Sequence, residues 1–277
     1  VSVVLSVSPR RLIPVHEPDL GHREAEFARD AVLSGMISGS GGEFIERLER
    51  EFAAYCGCRY GVAVSSGTAA LHLAMRLAGI QPDDEVLVSA LTNIATANAV
   101  VQCGGTVVPV DSDPDTWCMD VDLIPSVLDE CMNPRAVIPV HVYGHPVDMD
   151  ALLGVAALNE LFVAEDAAEA HGAEVQGQRV GSWGDVGCFS FYANKVITTG
   201  EGGMLVTDRE DLADRARSLR NLAFGRPRFV HHDTGYNYRL TNVQAAIGCA
   251  QMERIDEVVS AKRALAAAYI ERLRDVP

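Results

Sequence analysis

The sequence encodes an α/β layer fold. From residue 60 onward, seven short runs rich in β-branched and apolar residues alternate with segments of helical periodicity. Alternation of this kind builds a sheet whose strands are joined by right-handed crossovers. Most of the runs are almost continuously apolar, as expected of strands buried on both faces. The length of 277 residues suits one large domain or one and a fraction. The balance of 48% hydrophobic and 22% charged residues is that of a soluble globular chain.

Taken in order, residues 1–40 form an N-terminal segment that includes a Gly/Ser loop, within SGMISGSGGEF. The helix EFIERLEREFAAYCG follows. Residues 41–240 make the large domain. Its strands are YGVAVSS, EVLVS, TVVPVD, AVIPVHVY, LFVAED, VGCFSF and GMLVTD, and its helices include GTAALHLAMRLAG, DMDALLGVAALNE and REDLADRARSLRN. Pro109 and Pro139 blur the strand limits in two runs, since proline cannot donate to a sheet ladder. From Thr241 to Asp275 there is no proline. Val243, Ile247, Ile255, Val258, Leu265 and Tyr269 recur at roughly helical spacing, which predicts one long helix leaving the main domain over 241–277.

A formal net charge of −15 argues against a nucleic-acid or anionic-membrane surface, because binding polyphosphate needs clustered positive charge. It leaves room for a local pocket holding one phosphate. The seven cysteines are scattered, with Cys56 and Cys58 as the only close pair. This pattern indicates reduced thiols, and no second pair or His motif offers a zinc site. The opening VSVVLSVSPRR carries its charges after the apolar run and is too short to span a bilayer. The expectation is a cytoplasmic protein, with no membrane and no nucleic acid among its partners and with chain ends that are trimmed.

The chemistry starts at Lys195. Of 23 Lys plus Arg residues, only Lys195 and Lys262 are lysines, so the chain makes its positive charge almost entirely from Arg. A surface lysine is the commoner use, and Lys262, beside Arg263 on the predicted long helix, fits it. Lys195 follows FSFYAN at the end of a strand, where loops build active sites. Only a primary amine forms a Schiff base with an aldehyde, and burial makes it nucleophilic. That chemistry points to pyridoxal phosphate (PLP), whose ring nitrogen needs an acidic partner. Asp166 ends the strand LFVAED and is placed to serve, although a helix cap is an equally ordinary use of such a residue. Ser65-Ser66-Gly67-Thr68 sits between a strand and a helix, where free N–H groups and the helix dipole bind phosphate. An ordinary capped helix start reads the same way, and GEGG at Gly200–Gly203 reads as well as a tight turn. A phosphate cradle, a strand-end Asp and a strand-end Lys in that order have the spacing of a fold-type I PLP enzyme.

SSGTAALHLA, EVLVSALTNIATANAVVQCGGTVVPVD, PVHVYGHPVDMD, EDAAEAHGA, FSFYANKVITTGEGGML and GYNYRLTNVQAAIG together resemble the DegT-type nucleotide-sugar aminotransferases, from about Ile13 to the C-terminus. GHPVDMD and NKVITTGEGGM look most like the perosamine-synthase branch, which aminates C4 of a GDP-4-keto-6-deoxy sugar. The resemblance implies the large domain of that fold, a mostly parallel seven-stranded sheet between helices, with the small C-terminal domain largely missing. It implies Lys195 as the Schiff-base lysine and Asp166 as the partner of the pyridinium. Gly67, Thr68 and Ser190 would bind the phosphate, and Glu169 would lie near the phenolic oxygen. Asn237 would reach the phosphate of a neighbouring subunit, so a homodimer with shared active sites is expected.

The substrates implied are a nucleotide-linked 4-keto-6-deoxy sugar and an amino-acid donor, glutamate, with Arg220 and Arg239 as candidates to meet the anionic substrate. Lys195 argues against a sugar dehydratase, in which His replaces it. Asn93 stands where many members carry an aromatic that stacks on the cofactor. A catalytically impaired or regulatory PLP-binding remnant therefore stays open as a second reading.

Overall fold

All seven apolar runs become strands of one sheet. The computed structural model describes residues 14–225, 227 and 229–276, so the N-terminal run VSVVLSVSPRR lies outside the described residues. The strands are β1 (Tyr60–Val64), β2 (Glu85–Ser89), β3 (Thr106–Val110), β4 (Pro134–Ile138), β5 (Phe162–Asp166), a two-stranded hairpin of β6 (Glu174–Val175) and β7 (Gln178–Arg179), then β8 (Val186–Ser190) and β9 (Gly203–Thr207). The main sheet runs β1-β9-β8-β5-β4-β2-β3. Its pairs are parallel except for β9, which is antiparallel to both β1 and β8. β3 is an edge strand, which explains how it accommodates Pro109. Pro139 falls just beyond β4 and offers its carbonyl to the Asp166 N–H at 2.9 Å.

The helices are α1 (His22–Leu33), α2 (Glu43–Cys56), α3 (Gly67–Ala78), α4 (Ile94–Gln102), α5 (Ile124–Leu128), α6 (Met149–Leu158), α7 (Glu210–Arg220), α8 (Asn242–Met252) and α9 (Ile255–Leu273). They cover both faces of the sheet. On β9, Met204 and Val206 join the core under α1, α2 and α8, while Leu205 between them joins the core under α3 and α7. This period-two division is why the strand reads as continuously apolar: each face has its own helical cover. A third core under α6 contains Leu87, Val137, Met149, Leu152 and Val163.

Phe52 is fully buried and packs edge-on against Phe189 and Phe191, with centroids 4.9 and 5.0 Å away. Phe52→Ala is expected to cost about 3–5 kcal/mol through lost burial and the cavity left behind. The shift of the urea midpoint at constant m-value measures it.

The C-terminal segment differs from its sequence-based expectation. Thr241–Asp275 is not one helix; Glu253 and Arg254 separate α8 from α9, with Arg254 at φ −132° and ψ 15°. The physical reason is a set of long-range ties at the break. Glu253 pairs with Arg23 at 2.8 Å and Arg47 at 3.1 Å, and Arg254 pairs with Asp19. Gln251 donates to Glu24 at 2.7 Å. A capping box of Thr241 and Gln244 starts α8, which lies buried against α1 and α2 as part of the large domain. Only α9 projects, and Ile255 is its one buried residue among those described. No described helix is long and apolar enough to cross a membrane, and no described group of three or more His, Cys, Asp or Glu is arranged to hold a metal.

Candidate active site

A cavity of about 490 Å³ opens at the C-terminal ends of β4, β5 and β8, where crevices in open α/β sheets form. It gathers Gly67, Thr68, Asp166, Glu169, Ser190 and Lys195 on one wall system, together with Asn93. These residues come from elements scattered along the chain, and the parallel crossovers bring them together.

Asp166 is the last residue of β5 and is 4% exposed. Thr96 donates to its Oδ2 at 2.7 Å, and the Ala168 N–H donates to Oδ1 at 3.1 Å. Burial pushes the carboxyl above its ordinary range, against the pull of Thr96, the Ala168 N–H, His141 and Lys195. Among the described residues no cation is hydrogen-bonded to it, so the site carries a buried carboxylate that a protonated ring nitrogen would satisfy. Behind it, His141 and Glu165 form a fully buried pair at 3.1 Å. Glu165 also accepts the N–H groups of Gly181, Trp183 and Gly184 at 2.6–2.8 Å. Glu165 therefore ties down the 181–184 turn while its neighbour Asp166 serves the cavity.

The N-terminus of α3 lies at the same cavity. Ser66 caps it by accepting the Ala69 N–H at 3.1 Å. The N–H groups of Gly67 and Thr68, in the first turn, have no acceptor among the described residues, which is the local condition for binding an anion. Two glycines make the cradle possible. A Cβ on Gly67 would stand 2.8 Å from Cβ of Ser190, and one on Gly203 would stand 2.5 Å from the Ser66 peptide. The GEGG segment is thus a turn that also lets β9 approach the cradle.

Lys195 lies in the loop after β8, with its backbone N–H donating to the Tyr192 carbonyl at 3.0 Å. Its side chain is 15% exposed, and its Nζ meets Glu169 Oε1 at 3.2 Å. The other oxygen of Glu169 accepts the Tyr143 N–H at 3.2 Å. Tyr143 itself adopts a left-handed conformation at φ 49° on the cavity rim. A primary amine, a buried carboxylate without a cation and a free helix N-terminus fit an aldehyde, a ring nitrogen and a phosphate respectively; these residues suit PLP.

Other sequence-based expectations fall elsewhere. Asn237 does not line the cavity; it is exposed and bridged to Asn221. Asn93 lines the cavity but spends its side chain capping α4, accepting the Ala95 N–H at 3.0 Å. Arg220 is taken up by Glu49 and by the Ala63 carbonyl at 2.6 Å, and Arg239 donates to Asn221 at 2.7 Å. Neither arginine lines the cavity. Lys262 is exposed on α9 beside Arg263, as the sequence predicts for a surface lysine, and it also lines a second cavity that shares Lys195 and Glu169 with the first. Thr96, His141 and Tyr143 carried no local signal in the sequence.

His171, five residues after Asp166, is buried among Phe52, Phe189 and Phe191. Burial first, and then the Lys195 charge, hold its imidazole down from 6.5 to about 3. Between those values the unfolded chain binds a proton that the folded chain does not. Its contribution to stability is complete above about pH 6.5 and is lost as the pH falls toward about 3. His171→Phe is expected to flatten the acid limb of stability by about one proton's worth of slope. Urea midpoints at about pH 7.5 and about pH 4.5 measure it; an unchanged slope in the variant contradicts the assignment.

The chain is similar to known proteins along nearly its whole length. The model of the DegT/DnrJ/EryC1/StrS aminotransferase family matches residues 18–277. The GDP-perosamine synthase of Caulobacter vibrioides is 46% identical over 264 residues, covering 94% of this chain and 70% of that protein. Among solved structures, DesV of S. venezuelae in complex with a ketimine intermediate superposes with a TM-score of 0.87 at 40% identity, covering 92% of this chain and 67% of that one. Spr1654 of Streptococcus pneumoniae in its PLP form superposes with a TM-score of 0.87 at 27% identity, covering 95% of this chain and 72% of that one. With the family model spanning nearly the whole chain, the chain belongs to the DegT/DnrJ/EryC1/StrS aminotransferase family.

Proposed function

We propose that the protein is a PLP-dependent aminotransferase that moves an amino group from glutamate to C4 of a GDP-linked 4-keto-6-deoxy sugar. The observation that carries the reading is the shared cavity of Lys195, Asp166 and the α3 N-terminus. The substrate rests on the similarity to the GDP-perosamine synthase of Caulobacter vibrioides.

PLP, when bound, supplies an aldehyde carbon that amines can join and a pyridinium ring that takes up the electron pair released as a proton leaves the adjacent carbon. Lys195 Nζ then has two tasks. It provides the amine that holds the cofactor, and once displaced it carries the proton between substrate carbon and cofactor as base and then acid. Glu169 holds Nζ at 3.2 Å and so fixes where that proton is collected. Asp166 keeps the ring nitrogen protonated by charge, and Thr96 and the Ala168 N–H fix the direction of its oxygens. Gly67, Thr68 and Ser190 hold the phosphate. Asn237, exposed and outside its own chain's cavity, is suited to reach the phosphate site of a second subunit, so the working unit is a homodimer.

The test is to incubate the PLP-loaded protein with glutamate and GDP-, UDP- and dTDP-linked keto-sugars, and to read products by mass spectrometry. Amination of the GDP-linked 4-keto-6-deoxy sugar is expected. Amination of only the UDP- or dTDP-linked sugars overturns the substrate, and no amino sugar from any of them overturns the reading.

A further inference from the structure

The second cavity, about 500 Å³, opens from the point where the first ends. Both include Glu169 and Lys195, so a molecule whose reacting carbon sits at Lys195 Nζ can extend into it. Its far wall comes from α9, which contributes Lys262 and Arg263. Neither has a carboxylate partner within 4.0 Å among the described residues. Lys262 is exposed, and Arg263 spends one N–H on the Gly172 carbonyl at 2.8 Å, which anchors the guanidinium to the wall and leaves its other donors free. Among the described residues most arginines pair with acids, so two adjacent cations that do not, on one cavity of a chain of net charge −15, are a local positive field.

The acid on that cavity, Glu169, is engaged by Lys195 at 3.2 Å.

We propose that this second cavity is an anion subsite in which Lys262 and Arg263 bind a negatively charged group of the substrate whose reacting carbon is at Lys195. The inference rests on the aminotransferase reading above and names the part of the substrate that the site grips. Two sources offer that chemistry: the carboxylate of the amino-acid donor and the diphosphate of the nucleotide sugar. Amino transfer proceeds in two half-reactions that share Lys195, so each source can be examined alone.

The experiment compares the PLP-loaded wild type with Lys262→Gln, Lys262→Arg and Arg263→Gln. Binding of glutarate and of inorganic pyrophosphate is measured by calorimetry, beside the KM of each half-reaction. Lys262→Gln is expected to weaken one probe and raise the matching KM by about tenfold, the loss of a hydrogen bond to a charged group. Lys262→Arg is expected to restore most of it. Lys262 is exposed and unpaired, so its substitution leaves the melting temperature unchanged and folding does not confuse the result. A loss confined to glutarate identifies the donor carboxylate, and one confined to pyrophosphate identifies the diphosphate. Unchanged binding of both probes in Lys262→Gln and Arg263→Gln overturns the subsite. If no nucleotide sugar is aminated but a probe still depends on Lys262, the proposed substrate fails and the subsite stands.

Discussion

Lys195→Ala lowers amino transfer by about 10⁴-fold or more, because one substitution removes both the covalent hold on the cofactor and the proton carrier. Folding should survive it. Lys195 lies in a loop; its Glu169 contact is a partly exposed ion pair of the kind worth about 1 kcal/mol or less, and its charge also acts on Asp166 and His171. Cofactor should still bind through its phosphate at the α3 N-terminus, reversibly and without the absorption of a covalent adduct. Lys195→Arg is expected to be as inactive as Lys195→Ala, since a guanidinium keeps the charge but not the nucleophile. Residual turnover above one-hundredth of wild type in either variant would mean that another amine does the work. Stopped-flow absorbance with excess glutamate gives the rate.

Asp166→Asn keeps the shape of the site and removes its charge. Turnover is expected to fall by about 10²–10⁴-fold while PLP remains bound. An amide cannot hold the pyridinium proton by charge, so the ring loses its capacity to take up electrons. The same substitution should raise the melting temperature of the cofactor-free protein. Burial raises the folded-state pKa of Asp166 above its ordinary value. The folded chain therefore binds this proton more readily than the unfolded chain. Stability falls as the pH climbs from the unfolded value through the folded one, and the cost is fully present above it. Asn carries no such cost. A variant with wild-type kcat would reduce Asp166 to a structural cap. A variant that melts lower, with kcat lost, would mean that the carboxylate contributes to the fold through Thr96 more than burial costs it.

The strands were legible because all but the edge strand β3 are largely buried, which writes an almost unbroken apolar run into the sequence. The parts that were not legible depend on residues far apart in the chain. α1, HREAEFARDAVL, is rich in charge and buries Glu24, Phe27 and Ala31, with Glu24 satisfied by Gln251 from 227 positions away. The break between α8 and α9 comes from Arg23 and Arg47 holding Glu253, and nothing in the local sequence from Thr241 to Asp275 marks it. Within the site, Lys195, Asp166, Gly67 and Thr68 stood out because their chemistry needs particular residue types at strand and helix ends. Thr96, on α4, and His141, just after β4, acquire meaning only when they are seen beside the end of β5. Lys262 looked ordinary because a lysine on a helix surface carries no sign of which cavity the helix will wall.

The central claim, that Lys195 is the amine that holds the cofactor, meets its most direct test in one labelling measurement. The protein is saturated with PLP, reduced with borohydride and digested, and the pyridoxyl-labelled peptide is sequenced. The chain has only two lysines, and both line the joined cavities, so the label has two internal destinations. Stoichiometric label on Lys195 with Lys262 unmodified is the expected result. Label on Lys262, or reduction that leaves both lysines bare, would contradict it.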